Sequence, residues 1–313
     1  MMARLKGLMY GVISSATFGL IPLFALPVLR EGMGVDSVMF YRFGISAVVL
    51  GGWLLLRGHD LKVRFRELLT LGGLGIFYAM TALLLTSSYL YIPSGIATTI
   101  HFLYPVVVTA VMVLFFKEKV SVPVIGATLM AILGVCLLSN NNTAGGVSLK
   151  GLLLVLTTVV TYAVYIVGVN RSCVRQMDGL KLTFYVLLVG TLVFGGNLLI
   201  KAEPLELITD WNTGIYLFLL ALIPTLVSDF TLILSVQHVG STTTAVLGCM
   251  EPLTAVCMGV CFLHESLGYW QLLGMGMILL AVSVVILSHS KDGFKPKRLI
   301  PVRLRKLVHG NFN

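Results

Sequence analysis

Charge is scarce in this chain. Asp, Glu, Lys and Arg make up 11% of its 313 residues against 57% apolar types, and mean hydropathy is +0.97. A water-exposed globule of this length needs far more polar surface, so a soluble one- or two-domain protein is excluded. Room for a soluble domain is also missing. The longest gaps between apolar runs, 57–67, 140–148 and 201–212, hold barely a dozen residues. That argues against receptors, channels with gating domains and membrane-anchored enzymes with a cytosolic head. No nucleotide-binding motif occurs, which excludes ATP-driven pumping by this chain alone. The five cysteines, Cys136, Cys173, Cys249, Cys257 and Cys261, show no metal-type spacing. They read as reduced apolar fillers, and neither a disulfide framework, a metal site nor a cofactor is expected.

What is abundant is apolar sequence in runs of membrane-spanning length. Ten spans are predicted, at 6–29, 35–56, 68–90, 94–116, 121–139, 149–170, 181–200, 213–236, 241–263 and 268–288. Arg4 and Lys6 before the first run resemble a signal peptide, but the run continues to about Leu29 through Pro22 and Pro27 without a small-residue cleavage pattern. A first spanning helix is the better reading. Lysine and arginine then orient the chain. With the N-terminus inside, Arg4, Lys6, Arg57, Lys62, Arg64, Arg66, Lys117, Lys119, Arg171, Arg175, Lys181 and the tail cations from Lys291 to Lys306 all fall on the inner side. Only Arg30, Lys150 and Lys201 fall outside, and Arg42 lies within a span. Both ends are expected in the cytoplasm, with the chain in a bacterial inner membrane. The basic tail reads as attracted to anionic headgroups, each cation contributing roughly 1 kcal/mol near the surface, and not as a nucleic-acid site.

The chain also repeats itself. Leu5-Lys6-Gly7-Leu8 recurs as Leu149-Lys150-Gly151-Leu152, an offset of 144. At that offset Phe40-Tyr41 meets Phe184-Tyr185, and Gly51-Gly52 meets Gly195-Gly196. Further along, Ser94–Glu118 matches Ser241–Glu265 at an offset of 147, pairing Pro105 with Pro252, Phe115 with Phe262 and Glu118 with Glu265. Five helices per half is an odd number, so the second half must run inverted, as in many secondary transporters. The expected organisation is a first five-helix repeat at 1–139, a linker at 140–148, a second repeat at 149–288 and a basic tail at 289–313. The fold class is an all-α membrane protein of ten transmembrane helices in two inverted repeats.

These motifs resemble the drug/metabolite transporter superfamily, in particular its ten-helix EamA-type branch, over about 5–288. The resemblance is carried by Ser94-Gly95-Ile96-Ala97, Tyr104-Pro105, Phe116-Lys117-Glu118, Gly126 and Gly134. The second half supplies Ser241-Thr242-Thr243-Thr244, Glu251-Pro252, Leu263-His264-Glu265 and Gly274. Ser14-Ser15-Ala16-Thr17-Phe18-Gly19 and Tyr41-Arg42-Phe43 are similar to the family's first and second helices. The resemblance implies export or exchange of small metabolites, often amino acids, through a cavity lined by helices 1, 3, 4, 6, 8 and 9. It does not name a substrate, because the superfamily spans amino acids, nucleotide sugars, organic cations and vitamins.

Where the halves fail to match is where chemistry is sought. Glu251 falls on Tyr104, Asp229 on Ala82 and His101 on Gly248. A carboxylate near mid-membrane costs about 2.5–3.5 kcal/mol on insertion scales, so Glu251 needs a partner, water or a proton. It is either a structural acid paired with Arg42 or a tyrosine hydroxyl, or a proton- or substrate-binding group. Pro252 frees a carbonyl about one turn earlier, around Leu247-Gly248. Asp229 either snorkels to headgroups or helps form an acidic region that favours cationic or zwitterionic cargo. His101 is a neutral imidazole bonded to a neighbouring helix, a proton relay, or a partner for a substrate carboxylate. Arg42 is expected in an ion pair with Asp36 or on a carbonyl rather than on substrate. Thr17 and the serines and threonines at 14, 15, 87, 88, 157, 158 and 161 read first as interhelical hydrogen bonding. Phe18, Tyr104, Tyr162 and Tyr165 would present aromatic faces to a cavity. Glu118 and Glu265 read as helix-terminating, and Pro105, Pro224 and Pro252 as flex points.

The function expected from all this is a secondary transporter working by alternating access, with protons as a coupling partner and no enzymatic activity. A single chain would suffice for a complete path. Organic-cation efflux and nucleotide-sugar-type exchange are the alternatives on the same fold. A lipid-modifying enzyme fits poorly, since His101, Asp229 and Glu251 are scattered in depth along the sequence.

Overall fold

A computed structural model describes residues 2–117, 148–202, 204–248, 250–264 and 268–292, with single positions between 126 and 137. All regular structure among these residues is helical. Lipid offers no hydrogen bonds to backbone, so a span must satisfy its own N–H and C=O groups, and a helix does so locally. Eight helical stretches are long and apolar enough to cross a membrane: Arg4–Arg30, Val35–Leu56, Phe65–Ser88, Ser94–Phe116, Leu149–Arg171, Gly179–Lys201, Trp211–Val239 and Ser241–Leu263. They coincide with expected spans one to four and six to nine. Tyr269–Asp292 occupies the place of the tenth. The fifth expected span, Glu118, Glu265 and the tail beyond 292 lie outside the described residues, apart from the single positions named above. Leu56, Phe115, Leu199, Ile200 and Trp211 are at least three-quarters exposed, an apolar rind that suits lipid and would be a liability in water.

The packing treats the two halves alike. The first span lies along the eighth and the third along the sixth, while the second pairs with the seventh. Exchanging the halves carries the first two pairs onto each other and the third onto itself. The matched motifs meet at that third pair. Phe184 packs so closely on Gly51 that a Cβ there would come within 2.6 Å of its ring, and Phe40 lies 3.2 Å from a Cβ built at Gly195. Missing side chains let the helices approach, which is how membrane helices gain contact without a hydrophobic driving force. Hydroxyls reinforce the other two pairs. Ser14 and Ser228 each donate to the other's carbonyl at 2.9 Å, and Thr81 meets Thr161 at 2.7 Å.

Among the described residues three spans are broken, each beside a proline. The fourth divides into Ser94–His101 and Tyr104–Phe116, and the ninth into Ser241–Leu247 and Met250–Leu263. The two breaks correspond at the 147 offset, and so do the left-handed residues that close these spans, Lys117 at φ 55° and His264 at φ 57°. The first span, expected as one helix, divides into Met2–Phe18 and Ile21–Arg30. Pro22 has no N–H to continue the ladder, and the chain tightens to three-residue spacing with Leu20 N bonding Thr17 O at 3.1 Å. In the eighth span Pro224 sits in a π-helical segment, Leu222–Val227. The carbonyls just before it are covered by hydroxyls: Thr225 donates to Leu220 O at 2.8 Å and Ser46 to Ala221 O at 2.7 Å.

Candidate functional site

The breaks of the first, fourth and ninth spans converge at the centre of the bundle. Gly19, at the first break, lies so near the ninth span that a Cβ would approach the Glu251 carbonyl oxygen to 2.4 Å. Gly248, at the ninth break, leaves room for Tyr104, whose hydroxyl would lie 1.9 Å from an added Cβ. Ser15 of the first span donates to Leu247 O at 3.0 Å. That is the region where Pro252 was expected to free a carbonyl, and the neighbouring helix satisfies it.

Glu251 is 1% exposed and His101 is wholly buried. The Glu251 Oε1 lies 3.9 Å from His101 Nε2, too far for a hydrogen bond and near enough for strong electrostatic contact. On its other side His101 Nδ1 lies 2.7 Å from Thr158 Oγ1. With the Thr158 hydroxyl hydrogen on Val155 O, 2.6 Å away, His101 Nδ1 is the donor of the two. Its Nε2 is therefore either a bare lone pair or, in the imidazolium, a second N–H. A proton at this point resides on one of the two atoms, giving a neutral pair or an ion pair, and at 3.9 Å it does not bridge them. The rings of Phe18, Tyr104 and Tyr162 surround the imidazole at centroid distances of 6.3, 5.4 and 5.1 Å.

The second acid sits beyond this aromatic layer. Asp229, also 1% exposed, accepts a hydrogen bond from Tyr78 of the third span. Tyr78 stacks 4.9 Å from Tyr165 and 6.5 Å from Tyr162, so a chain of rings joins Asp229 to His101. Arg42, within electrostatic reach of Asp229, donates from Nε to Thr225 Oγ1 at 2.6 Å and lies over the Phe43 ring. Arg42 Nη2, His101 Nε2, Tyr165 Oη, Asp229 Oδ2 and Glu251 Oε1 are buried without a hydrogen-bond partner among the described residues. Leaving such groups unsatisfied costs about 1–3 kcal/mol each, more when charged.

Seven expected site residues thus come together, Glu251, Asp229, His101, Tyr104, Phe18, Tyr162 and Tyr165, and the apparent scatter in depth closes through the rings. Thr17 does not join them: it is half-buried and donates to Ile13 O and Ser14 O of its own helix. Asp229 does not snorkel, because the turn after the π segment aims it at Tyr78. Arg42 does not pair with Asp36. Six residues separate them, which puts them on different helix faces, and Asp36 is held by Lys201 and Asn197 instead. Nor does Arg42 pair with Glu251, whose ionisable neighbour is His101. Ser88 and Thr157 also bond within their own helices, at Leu85 O and Leu153 O. Cys173, Cys257 and Cys261 are exposed rather than core fillers. Sequence reasoning passed over Tyr78 and Thr225. A mid-span tyrosine was the available signal, since a buried phenol needs a partner. No cluster of three His, Cys, Asp or Glu suited to a metal occurs among the described residues.

Comparison with known proteins agrees with this architecture. The model of the EamA-like transporter family matches twice, over residues 5–140 and 149–287. A protein of Archaeoglobus fulgidus called an uncharacterized transporter is 24% identical over 274 residues, covering 80% of this chain and 88% of its own. A solved crystal structure, 16% identical, superposes over 93% of this chain and 98% of the other with a TM-score of 0.66, a likeness of fold alone.

Proposed function

The chain belongs to the EamA-like transporter family, and from that premise we propose that it exports a small zwitterionic metabolite of amino-acid type by alternating access. The observation that carries this reading is the set of unpartnered buried atoms in the aromatic chamber. Arg42 Nη2 offers a donor to a carboxylate, while Asp229 Oδ2 and Glu251 Oε1 offer acceptors to an ammonium group. Phe18, Tyr78, Tyr104, Tyr162 and Tyr165 supply apolar walls and ring faces that favour a cation. Two carboxylates against one guanidinium favour an organic cation as the second reading.

Proton coupling follows from the His101–Glu251 pair. Its one proton stabilises the closed contact between the fourth and ninth spans, and loss of that proton sets a lone pair against a carboxylate. Movement comes from rocking of the repeat at 1–139 against that at 149–288, joined by the linker at 140–148, with Pro105, Pro224 and Pro252 as flex points. The chain works in the bacterial inner membrane with both ends and the basic tail at 289–313 in the cytoplasm, and one copy suffices. Purified protein in liposomes, offered labelled amino acids, organic cations and nucleotide sugars with and without a pH gradient, tests this. Flux of amino acids that responds to the gradient is expected. Flux of cations alone would select the second reading, and no flux of any class would remove the function.

A further inference from the structure

Each face of the bundle carries a tie between the two halves, and the two ties are equivalent. On one face the segment after the seventh span crosses to the second. Tyr41 Oη donates to Glu206 O at 2.8 Å, and Glu206 N donates to Ser37 Oγ at 3.3 Å. The Glu206 carboxylate takes the Gly34 N–H at 3.0 and 3.1 Å, just before the second span begins. On the other face the segment after the second span crosses to the seventh. Tyr185 Oη donates to Leu61 O at 2.6 Å, and Lys181 Nζ donates to Lys62 O. Tyr41 and Tyr185 correspond at the 144 offset, and so do Ser37 and Lys181, one helical turn away. In both cases a tyrosine of one half holds a backbone carbonyl in the other half's linker.

These linkers lead into the helices that line the chamber. The 57–64 segment enters the third span, which carries Tyr78, and the 202–210 segment enters the eighth, which carries Asp229. With both ties made, Glu251, Asp229 and His101 are no more than 1% exposed, so these side chains are shielded from both faces. Each contact is a tyrosine hydroxyl on a main-chain carbonyl, so it breaks without leaving a charge buried. We infer that Tyr41 and Tyr185 are paired latches, each holding shut the face on which it lies, and that opening of one face releases its tyrosine while the other stays bound. This rests on the alternating-access reading and goes beyond it by naming what closes each face.

Labelling from one side tests the latches. Thr161, 5% exposed on the sixth span next to Tyr162, becomes cysteine in a chain whose five native cysteines are replaced by serine or alanine. A membrane-impermeant cationic thiosulfonate is applied to one face of proteoliposomes. Native Cys173, exposed beside Lys181 and Lys62, reports the sidedness in a parallel preparation. Tyr41→Phe should raise labelling from the Glu206 face by a factor of about two to ten, the worth of one net hydrogen bond, and lower it from the other. Tyr185→Phe should do the reverse. Hydrogen exchange of the native chain carrying each substitution, read at 57–64 and 204–210, confirms that each variant folds and frees only its own linker. A freed linker with unchanged chamber labelling would make the tyrosines structural ties and overturn the inference, as would two variants that act on the same face. Absence of solute flux with reciprocal labelling would instead strike the transport reading and leave the latches standing.

Discussion

Glu251 is the residue on which most of the proposed chemistry turns. Its Oε1 lies 3.9 Å from His101 Nε2, the pair proposed to take up the coupled proton, and the other imidazole nitrogen is held by Thr158 Oγ1. Glu251→Gln keeps the shape and removes the exchangeable carboxyl proton. Solute exchange is expected to persist while the response of flux to a pH gradient falls at least about tenfold, the effect of roughly 1.4 kcal/mol of lost coupling; an unchanged pH response would take Glu251 out of the mechanism. Gly248 tests the packing behind it. A methyl group there would meet the Tyr104 hydroxyl at 1.9 Å, so Gly248→Ala is expected to destabilise by about 1–3 kcal/mol in denaturant titration. Adding Tyr104→Phe should return part of that loss, and strict additivity of the two changes would show that the clash is relieved elsewhere.

At the scale of the element, the broken helices are the feature that distinguishes the centre from the rim. A proline in lipid removes a donor and frees a carbonyl, and each freed carbonyl needs a neighbour. The structure answers with hydroxyls: Ser15 at Leu247 O, Ser46 at Ala221 O and Thr225 at Leu220 O. The first two of these bonds tie the break in one helix to the helix beside it, while Thr225 acts within its own span. Ser15→Ala should therefore cost about 0.6–1.7 kcal/mol, the measured range for interhelical bonds in membranes, when unfolding is followed in mixed micelles. Ser283→Ala, which removes an exposed hydroxyl bonded only to Leu279 O of its own helix, should change little. Equal effects from both would mean that the Ser15 bond contributes nothing beyond local helix propensity.

Over the whole molecule, residues that match between the halves and residues that do not occupy different places. Matching residues build the axis: Phe40 on Gly195 and Phe184 on Gly51, with Tyr41 and Tyr185 reaching to opposite faces. Unmatched residues gather in the chamber: Glu251 and Tyr104, His101 and Gly248, and Asp229. A symmetric scaffold can close equally on two faces, whereas a substrate has distinct ends and needs an asymmetric site. Arg42 has no cationic counterpart, since Val186 stands at the 144 offset, and so it belongs with the chamber. Arg42→Gln is expected to raise the KM for amino acids about tenfold or more, consistent with loss of a charged hydrogen bond, while sparing any organic cation the protein carries. Equal losses for both substrate types, measured as initial rates in the same liposomes, would return Arg42 to a structural role.

The sequence by itself determined the class, the positions of the eight spans that the structure describes, and the duplication, because these depend on local quantities. Apolar runs of membrane length, the side on which Lys and Arg collect, and identities at a constant offset need no knowledge of what touches what. It also exposed Glu251, Asp229 and His101, since polarity inside a span is costly wherever the span packs. Only the tertiary structure decided their partners. Six residues of separation said nothing about whether Arg42 would meet Asp36, and nothing local joined Tyr78 to Asp229 or Thr158 to His101, residues 151 and 57 positions apart. Helix rotation and the close approach permitted by Gly19 and Gly248 set those pairings. They are properties of two surfaces meeting, which neither stretch of sequence carries alone.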